Sequence, residues 1–202
     1  MSFIKTAAGR IVTPPEHRTL IAHLKRTTNS ERLYLLYLLV RYTGLRISEA
    51  LSVTVGDVYD SVSHNVPNSL TVKCAKKGAH SKARTVSLCS KNDKLRTELR
   101  KFLLNNRRTF DPAAPLFITS TGAVWNRENA SHELTKAVAR AGLPKLSFHD
   151  LRRSYGTELY DQTRDMELVQ AALGHEDFRT TRGYVQRPLA QLHQVNAALA
   201  AA

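Results

Sequence analysis

Two cysteines in 202 residues, Cys74 and Cys89, are too few for a disulfide scaffold, and their separation is wrong for a thiolate metal site. Long apolar runs are missing as well. The best, Leu33 to Val40, is eight residues between Arg32 and Arg41, against the roughly 20 that a bilayer span needs. Met1 to Arg10 holds no apolar stretch of signal-peptide length. There is no internal repeat, and no linker rich in Pro, Gly or Ser divides the chain. These absences predict a soluble, cytoplasmic protein of one domain, or at most two small ones, with no membrane partner. Acidic residues are also scarce: 17 Asp+Glu face 30 Lys+Arg, a formal net charge of +13. Hydrophobic residues make up 42% of the chain, enough for a core and too many for wholesale disorder.

The charge is unevenly placed. Between Lys73 and Arg108 stand twelve Lys+Arg, opposed only by Asp93 and Glu98, so +10 falls within 36 residues. A solvated face is the plain explanation of such a cluster. One so one-sided fits phosphates or another anionic surface, nucleic acid first.

Helical signals dominate. Thr13-Pro14-Pro15-Glu16 opens a helix, with Thr13 as cap and proline in the first turn, where its missing N–H is harmless. Leu20, Ile21 and Leu24 form its apolar stripe. Ser30 caps a second helix through Tyr42, apolar almost all round and therefore central; Gly44 ends it in a left-handed turn, and Ile47 to Leu51 is a further short helix. Val53 to Val58, Ser69 to Cys74 and Ala83 to Leu88 are β-branched and punctuated by turn residues, which predicts three short strands. The last two flank a polar tip carrying Lys76, Lys77 and Lys82. Ser90 then caps 91–105, Asn126 caps 128–141, and helices over 149–161, 166–173 and 189–200 follow. The fold class is α+β: mostly helical, with a small antiparallel sheet.

Five places hold polar residues that a plain helical domain does not need. They are Arg46, with Glu49 three residues on to orient it; the lysine tip; His149 and Arg152, which an i,i+3 spacing puts on one helical face; His175 after Gly174; and Tyr184, nine residues later. Singly, each has a plainer explanation: a surface ion pair, a helix cap, a packed tyrosine.

In this order they resemble the tyrosine recombinase (phage integrase) family, from about Thr13 to the C-terminus. Thr-Gly-Leu-Arg-x-Ser-Glu-x-Leu around Arg46 is similar to that family's first motif. Lys77-Gly78 followed by Arg84-Thr85-Val86-Ser87-Leu88 resembles its lysine-bearing hairpin. His149-Asp150-Leu151-Arg152-Arg153-Ser154 resembles its second arginine motif, with Arg153 where many members have histidine. Leu-Gly-His-x-x-x-x-Thr-Thr-x-x-Tyr, over 173–184, resembles its closing motif.

The resemblance implies a site-specific DNA recombinase that cleaves and rejoins strands through a 3′-phosphotyrosyl intermediate at Tyr184, of the kind that mobile genetic elements carry. It implies that Arg46, Arg152 and His175 contact the scissile phosphate and that His149 accepts a proton or bonds the phosphate. Lys77 would act as general acid, with Lys76 and Lys82 as alternatives. The residue types suit these roles: guanidinium is a permanently charged planar fork for two phosphate oxygens, imidazole titrates near neutrality, and a phenol with pKa about 10 needs help to lose its proton. Glu49 would hold Arg46, and Lys73, Lys76, Lys82, Arg84 and Arg153 would face DNA. No cofactor and no metal are expected, since a two-metal nuclease needs carboxylates and this set is cationic.

Residues 1–202 then read as a single catalytic domain, with 1–12 an N-terminal extension and no separate core-binding domain, as in the short fimbrial-switch invertases. In the family a helix at 188–202 docks on the neighbouring protomer; packing on its own domain is the alternative. Double-stranded DNA is the expected partner, met as a homodimer or homotetramer with an accessory DNA-bending protein, on the nucleoid of a bacterial or phage-infected cell. A non-catalytic DNA-binding regulator and a type IB-like topoisomerase are the competing functions.

Overall fold

Thr13 and Glu16 cap each other at the start of the first helix: the Thr13 N–H donates to Glu16 Oε2 at 2.9 Å, and the Thr13 hydroxyl accepts from the Glu16 N–H. The computed structural model describes residues 10–27, 30–72, 83–89, 93–105, 111–119 and 121–174. Two compact units divide the chain, Met1–Tyr155 and Gly156–Ala202.

In the first unit, α1 (Pro14–Arg26) buries Leu20, Ile21 and Leu24, the predicted stripe. Helix α2 (Glu31–Thr43) buries an unbroken run from Leu33 to Arg41 and packs against its neighbours on several sides, α1 among them. A side chain such as Leu36, with no exposed surface, contributes about 2 kcal/mol or more by leaving water. Gly44 ends α2 at φ +65°, a conformation that a Cβ would strain. Ser30 is the N-cap residue of α2, as expected, but its hydroxyl makes no cap bond and donates back to the Thr27 and Leu24 carbonyls, closing the turn out of α1.

After α3 (Ile47–Leu51), the expected strand over 53–58 is also corrected. The Leu116 N–H does donate to the Val53 carbonyl and the Val55 N–H to the Ala114 carbonyl, flanking a bridge between Thr54 and Pro115. At Val55 the chain turns into α4 (Val55–Val58), because the Thr54 N–H and hydroxyl both donate to Asp57 Oδ2, at 2.8 and 2.9 Å. Gly56 lies against Pro112, where a Cβ would come within 2.9 Å of the proline ring. Among the described residues the sheet therefore has two strands, β1 (Ser69–Val72) and β2 (Arg84–Ser87), antiparallel with Ser69 opposite Ser87 and Val72 opposite Arg84.

Helix α5 (Lys94–Asn105) follows Asp93 at φ +52°; the expected cap Ser90 and residues 91–92 lie outside the described residues. It buries Leu95, Leu99, Phe102 and Leu103 against the core. Asn126 caps α6 (Arg127–Arg140), as its spacing predicts. The first turns of α7 (Phe148–Thr163) complete the unit.

The second unit holds the rest of α7 and α8 (Met166–Leu173), capped by Asp165 and ended by Gly174 at φ +61°. No helix among the described residues is long and apolar enough to cross a membrane. The helix expected over 189–200 lies outside the described residues.

Candidate active site

The left-handed turn at Gly44 does two things. It releases the chain so that Arg46 precedes α3 in an extended conformation, and it leaves the Gly44 carbonyl as an acceptor. Glu49, in the first turn of α3, takes the Arg46 N–H on Oε2 at 2.8 Å and the Arg46 Nη1 on Oε1 at 2.7 Å. The motif spacing is thereby explained: three residues along a helix start is the reach at which a carboxylate bonds both backbone and side chain of the residue before it.

Arg152 arrives from the second turn of α7. Its Nη1 donates to the Gly44 carbonyl at 2.6 Å and lies 3.9 Å from Glu49 Oε2. The opening turn of α7 is held by Ser147 and Asp150, which exchange backbone-to-side-chain bonds. A strap at the start of the described chain holds it too: the Arg10 N–H donates to Asp150 Oδ1 at 3.1 Å and the Val12 N–H to the Ser154 hydroxyl at 2.8 Å. His149 sits on this turn, solvent-exposed. Partial desolvation lowers its pKa, Asp150 opposes that, and the Arg152 and Arg153 charges add to the lowering, so its neutral, proton-accepting form is favoured.

Arg84 is the third cation on Glu49. From the first position of β2, its Nη2 donates to Oε2 at 3.0 Å. Side-chain exposure orders the group: Glu49 1%, Arg152 4%, Arg84 11% and Arg46 39%. Burial pushes the Glu49 carboxyl up. The hydrogen bonds from the Arg46 backbone and side chain, with the Arg84 and Arg46 charges, overcome that and hold it below the ordinary carboxylate range. Next to Arg152 in sequence, Arg153 is 9% exposed. Tyr155 is partly buried, which raises its phenol pKa against the lowering influence of Arg84.

The structure thus brings Arg46, Glu49 and Arg152 together, from segments more than 100 residues apart. The Arg84 side chain is 11% exposed and donates to the carboxylate, and Arg153 is 9% exposed. The signal for Arg84 was present: in Arg84-Thr85-Val86-Ser87 the two-residue period puts Arg84 on the same face as buried Val86. Lys73, Lys76, Lys77, Lys82, His175 and Tyr184 lie outside the described residues. Among the described residues no three His, Cys, Asp or Glu side chains converge as metal ligands. A cavity of about 690 Å³ opens elsewhere, with Leu24, Lys25, Tyr34, Glu98 and Phe102 in its wall, and none of the predicted site residues lines it.

Three guanidiniums grouped around one buried carboxylate are suited to holding an anion with several equivalent oxygens, such as a phosphodiester. The Phage integrase family matches residues 10–189. The chain is 33% identical over 156 residues to tyrosine recombinase XerD of Corynebacterium glutamicum, covering 76% of this chain and 47% of that protein. Among solved structures, the XerH site-specific recombinase bound to its difH substrate, in a pre-cleavage complex, matches with a TM-score of 0.72 at 22% identity, over 97% of this chain and 56% of that one. The catalytic domain of bacteriophage HP1 integrase matches with a TM-score of 0.58 at 22% identity, over 87% of this chain and 86% of that one. The chain spans about half the length of the curated relatives it matches.

Proposed function

Because the chain belongs to the phage integrase family, we propose that it is a tyrosine site-specific recombinase that breaks and rejoins double-stranded DNA. The observation that carries this reading is the meeting of Arg46 and Arg152 at one buried carboxylate, Glu49. Paired arginines from two distant motifs are what a pentacoordinate phosphorane with spread negative charge requires. The 33% identity to a tyrosine recombinase and the +10 charge between Lys73 and Arg108 support DNA as the substrate.

In this reading the Tyr184 phenolate oxygen attacks phosphorus in line. The new O–P bond forms as the bond to the 5′-oxygen breaks, and the tyrosine keeps the 3′-phosphate, so that the bond energy is conserved for rejoining. Arg46, Arg152 and His175 bind the non-bridging oxygens. Its lowered pKa makes neutral His149 the acceptor for the phenol proton at pH 7. Lys77 supplies a proton to the leaving 5′-oxygen, with Lys76 or Lys82 as the alternative donor. Glu49 positions Arg46. The protein works as one catalytic unit, with residues 188–202 docking on the neighbouring copy of a homodimer or homotetramer. An accessory protein bends the DNA, and the setting is the bacterial cytoplasm at the nucleoid.

The test is incubation with a library of nicked duplexes of random sequence, followed by denaturing capture of covalent adducts. A strand joined through its 3′-phosphate to Tyr184, and lost in Tyr184→Phe, is expected; sequencing the joined strands identifies the site. Site-selective binding with no adduct would make the protein a regulator. Relaxation of supercoiled plasmid without site preference would make it a topoisomerase.

A further inference from the structure

We propose that Arg10 is a positioning residue: through the strap that it begins, Arg10 to Val12, it fixes the α7 turn that presents His149. The inference rests on the recombinase reading for its catalytic consequence, and on geometry alone for its structural one. The strap leads into the extended Thr13 cap, and its residues alternate, with Val12 buried, Ile11 exposed and Arg10 turned back to α7. The Arg10 N–H donates to Asp150 Oδ1 at 3.1 Å, and the Val12 N–H to the Ser154 hydroxyl, one helical turn further on, at 2.8 Å. Arg10 Nη1 donates to the Pro144 and Lys145 carbonyls, at 3.0 and 3.1 Å, in the chain that enters the helix. Its Nη2 pairs with Glu16, which also caps α1.

His149 thus stands between two points of attachment, the 144–145 carbonyls before it and the Asp150 and Ser154 side chains after it. Local capping does a different job. Asp150 Oδ2 accepts from the Ser147 N–H at 2.8 Å and from its hydroxyl at 2.6 Å, which closes the first turn of α7 on itself without fixing where that turn lies against α1. The other oxygen, Oδ1, ties the turn to the strap. Arg152 is also tied at its tip, to the Gly44 carbonyl and Glu49, so the strap governs where the turn sits rather than whether Arg152 meets its carboxylate. Releasing the strap displaces the turn, and with it the His149 ring. A proton acceptor displaced by about 1 Å loses much of its effect, because transfer requires hydrogen-bond reach. Arg10 itself needs no contact with substrate.

The experiment compares Arg10→Ala, Arg10→Lys, Ser154→Ala and the double variant Arg10→Ala/Ser154→Ala with the unaltered chain, each assayed at a fixed interval below its own Tm. The first readout needs no DNA: the ring Cε1–Hε1 resonance of His149, assigned with His149→Gln and followed through a pH titration. Desolvation lowers its midpoint first of all, Asp150 raises it, and Arg152 and Arg153 lower it. In Arg10→Ala, and in Ser154→Ala, which leaves every charge unchanged, the midpoint is expected to rise toward the ordinary histidine value as the ring regains water. Arg10→Lys keeps a cation with donors for the same carbonyls and is expected to leave the midpoint in place. The second readout is adduct formation on a duplex recovered from the nicked library. Arg10→Ala is expected to slow the first-order step about tenfold or more while the duplex Kd changes by less than about threefold, since geometry at the reacting atoms is lost rather than affinity. Arg10→Lys is expected to stay within about threefold of the original rate. Because both single variants release one strap, the double variant is expected to be no more than about twofold slower than the slower of them. The Arg10 side chain is 24% exposed, so its variants serve if Ser154→Ala does not fold.

A His149 midpoint unmoved in either Arg10→Ala or a folded Ser154→Ala overturns the proposal. So do single-variant losses that multiply in the double variant, an Arg10→Lys chain as slow as Arg10→Ala, or an Arg10→Ala chain with the original rate. If the unaltered chain forms no adduct with any duplex, the recombinase reading falls, and the titration alone decides whether the strap positions His149.

Discussion

Leu36, at the centre of α2, and Glu49, in the first turn of α3, both have almost no contact with solvent, yet they are held inside by opposite means. Around Leu36 the run from Leu33 to Val40 leaves water together, a non-directional gain that grows with area and tolerates small shifts. Around Glu49 a charge is buried against its own desolvation penalty and kept there by bonds from Arg46 and Arg84. Replacing such a cluster by well-packed apolar residues is often neutral or stabilising. The apolar helix supplies a rigid floor, and the charged cluster stands just past its C-terminal end, where the proposed function puts the phosphate.

The contrast is broken most directly at Glu49. Glu49→Gln leaves the guanidiniums with no carboxylate, and is expected to destabilise by about 3–5 kcal/mol, the scale for removing one partner of a buried pair. Urea unfolding measures this, and added sulfate should recover part of the loss by standing in for the missing anion. Because the Glu49 carboxyl is held low in the folded state, the original chain should also lose stability as pH falls below about 4.5, and Glu49→Gln should lose less there. Recovery by sulfate is the feature that separates the two regions: if Glu49→Gln ignores it, the cluster is ordinary packing.

Leu36→Ala comes next, at about 3 kcal/mol for a cavity in a close-packed helix, with no response to sulfate. Tm and urea midpoints at two salt concentrations check both points.

His17 sharpens the comparison, because it places a titratable ring against the apolar region. Its nitrogens lie 2.7 Å from the Tyr37 hydroxyl and 3.2 Å from that of Tyr42. Burial, then the charges of Arg41, Lys94 and Arg18, pull its pKa down to about 4. The unfolded chain binds this proton near pH 6.5 and the folded one only near 4. Stability is therefore full above 6.5, falls between 6.5 and 4, and levels off below, by on the order of 2–3 kcal/mol. His17→Gln should flatten the unfolding free energy across that window, which lies above the one belonging to Glu49. The smallest effect is at Thr13: the cap bond is long at 3.5 Å and exposed, so Thr13→Ala should shift stability by only about 0.5 kcal/mol.

Much of this was readable before any coordinates. The Thr13 cap, the apolar stripe of α1, the all-round burial of α2 and the Gly44 turn follow from neighbours within four residues. So does the Arg46–Glu49 pair. The errors share a cause. Val53 to Val58 has the composition of a strand, but Asp57 bonds back to Thr54, and Gly56 must pass Pro112 more closely than a Cβ allows. Ser30 has the right residue type for a cap, yet the α1–α2 turn offers its hydroxyl nearer acceptors. Arg84 lies in the basic stretch and Arg153 beside a second arginine, and charge counting alone does not say which side of a strand or helix meets the core.

By itself, then, the sequence determined what depends on short-range periodicity and capping: where helices start and stop, which stripes are apolar, and which residue types are present to handle a phosphate. Tertiary structure alone decided how those residues divide the available partners. That Glu49 also serves Arg84, and that Arg152 donates to the Gly44 carbonyl, depends on contacts between residues 35 and 108 positions apart. Local rules act over one or two turns of chain. The placement of a buried charge is set by every cation within a few ångströms of it, whatever their distance in sequence.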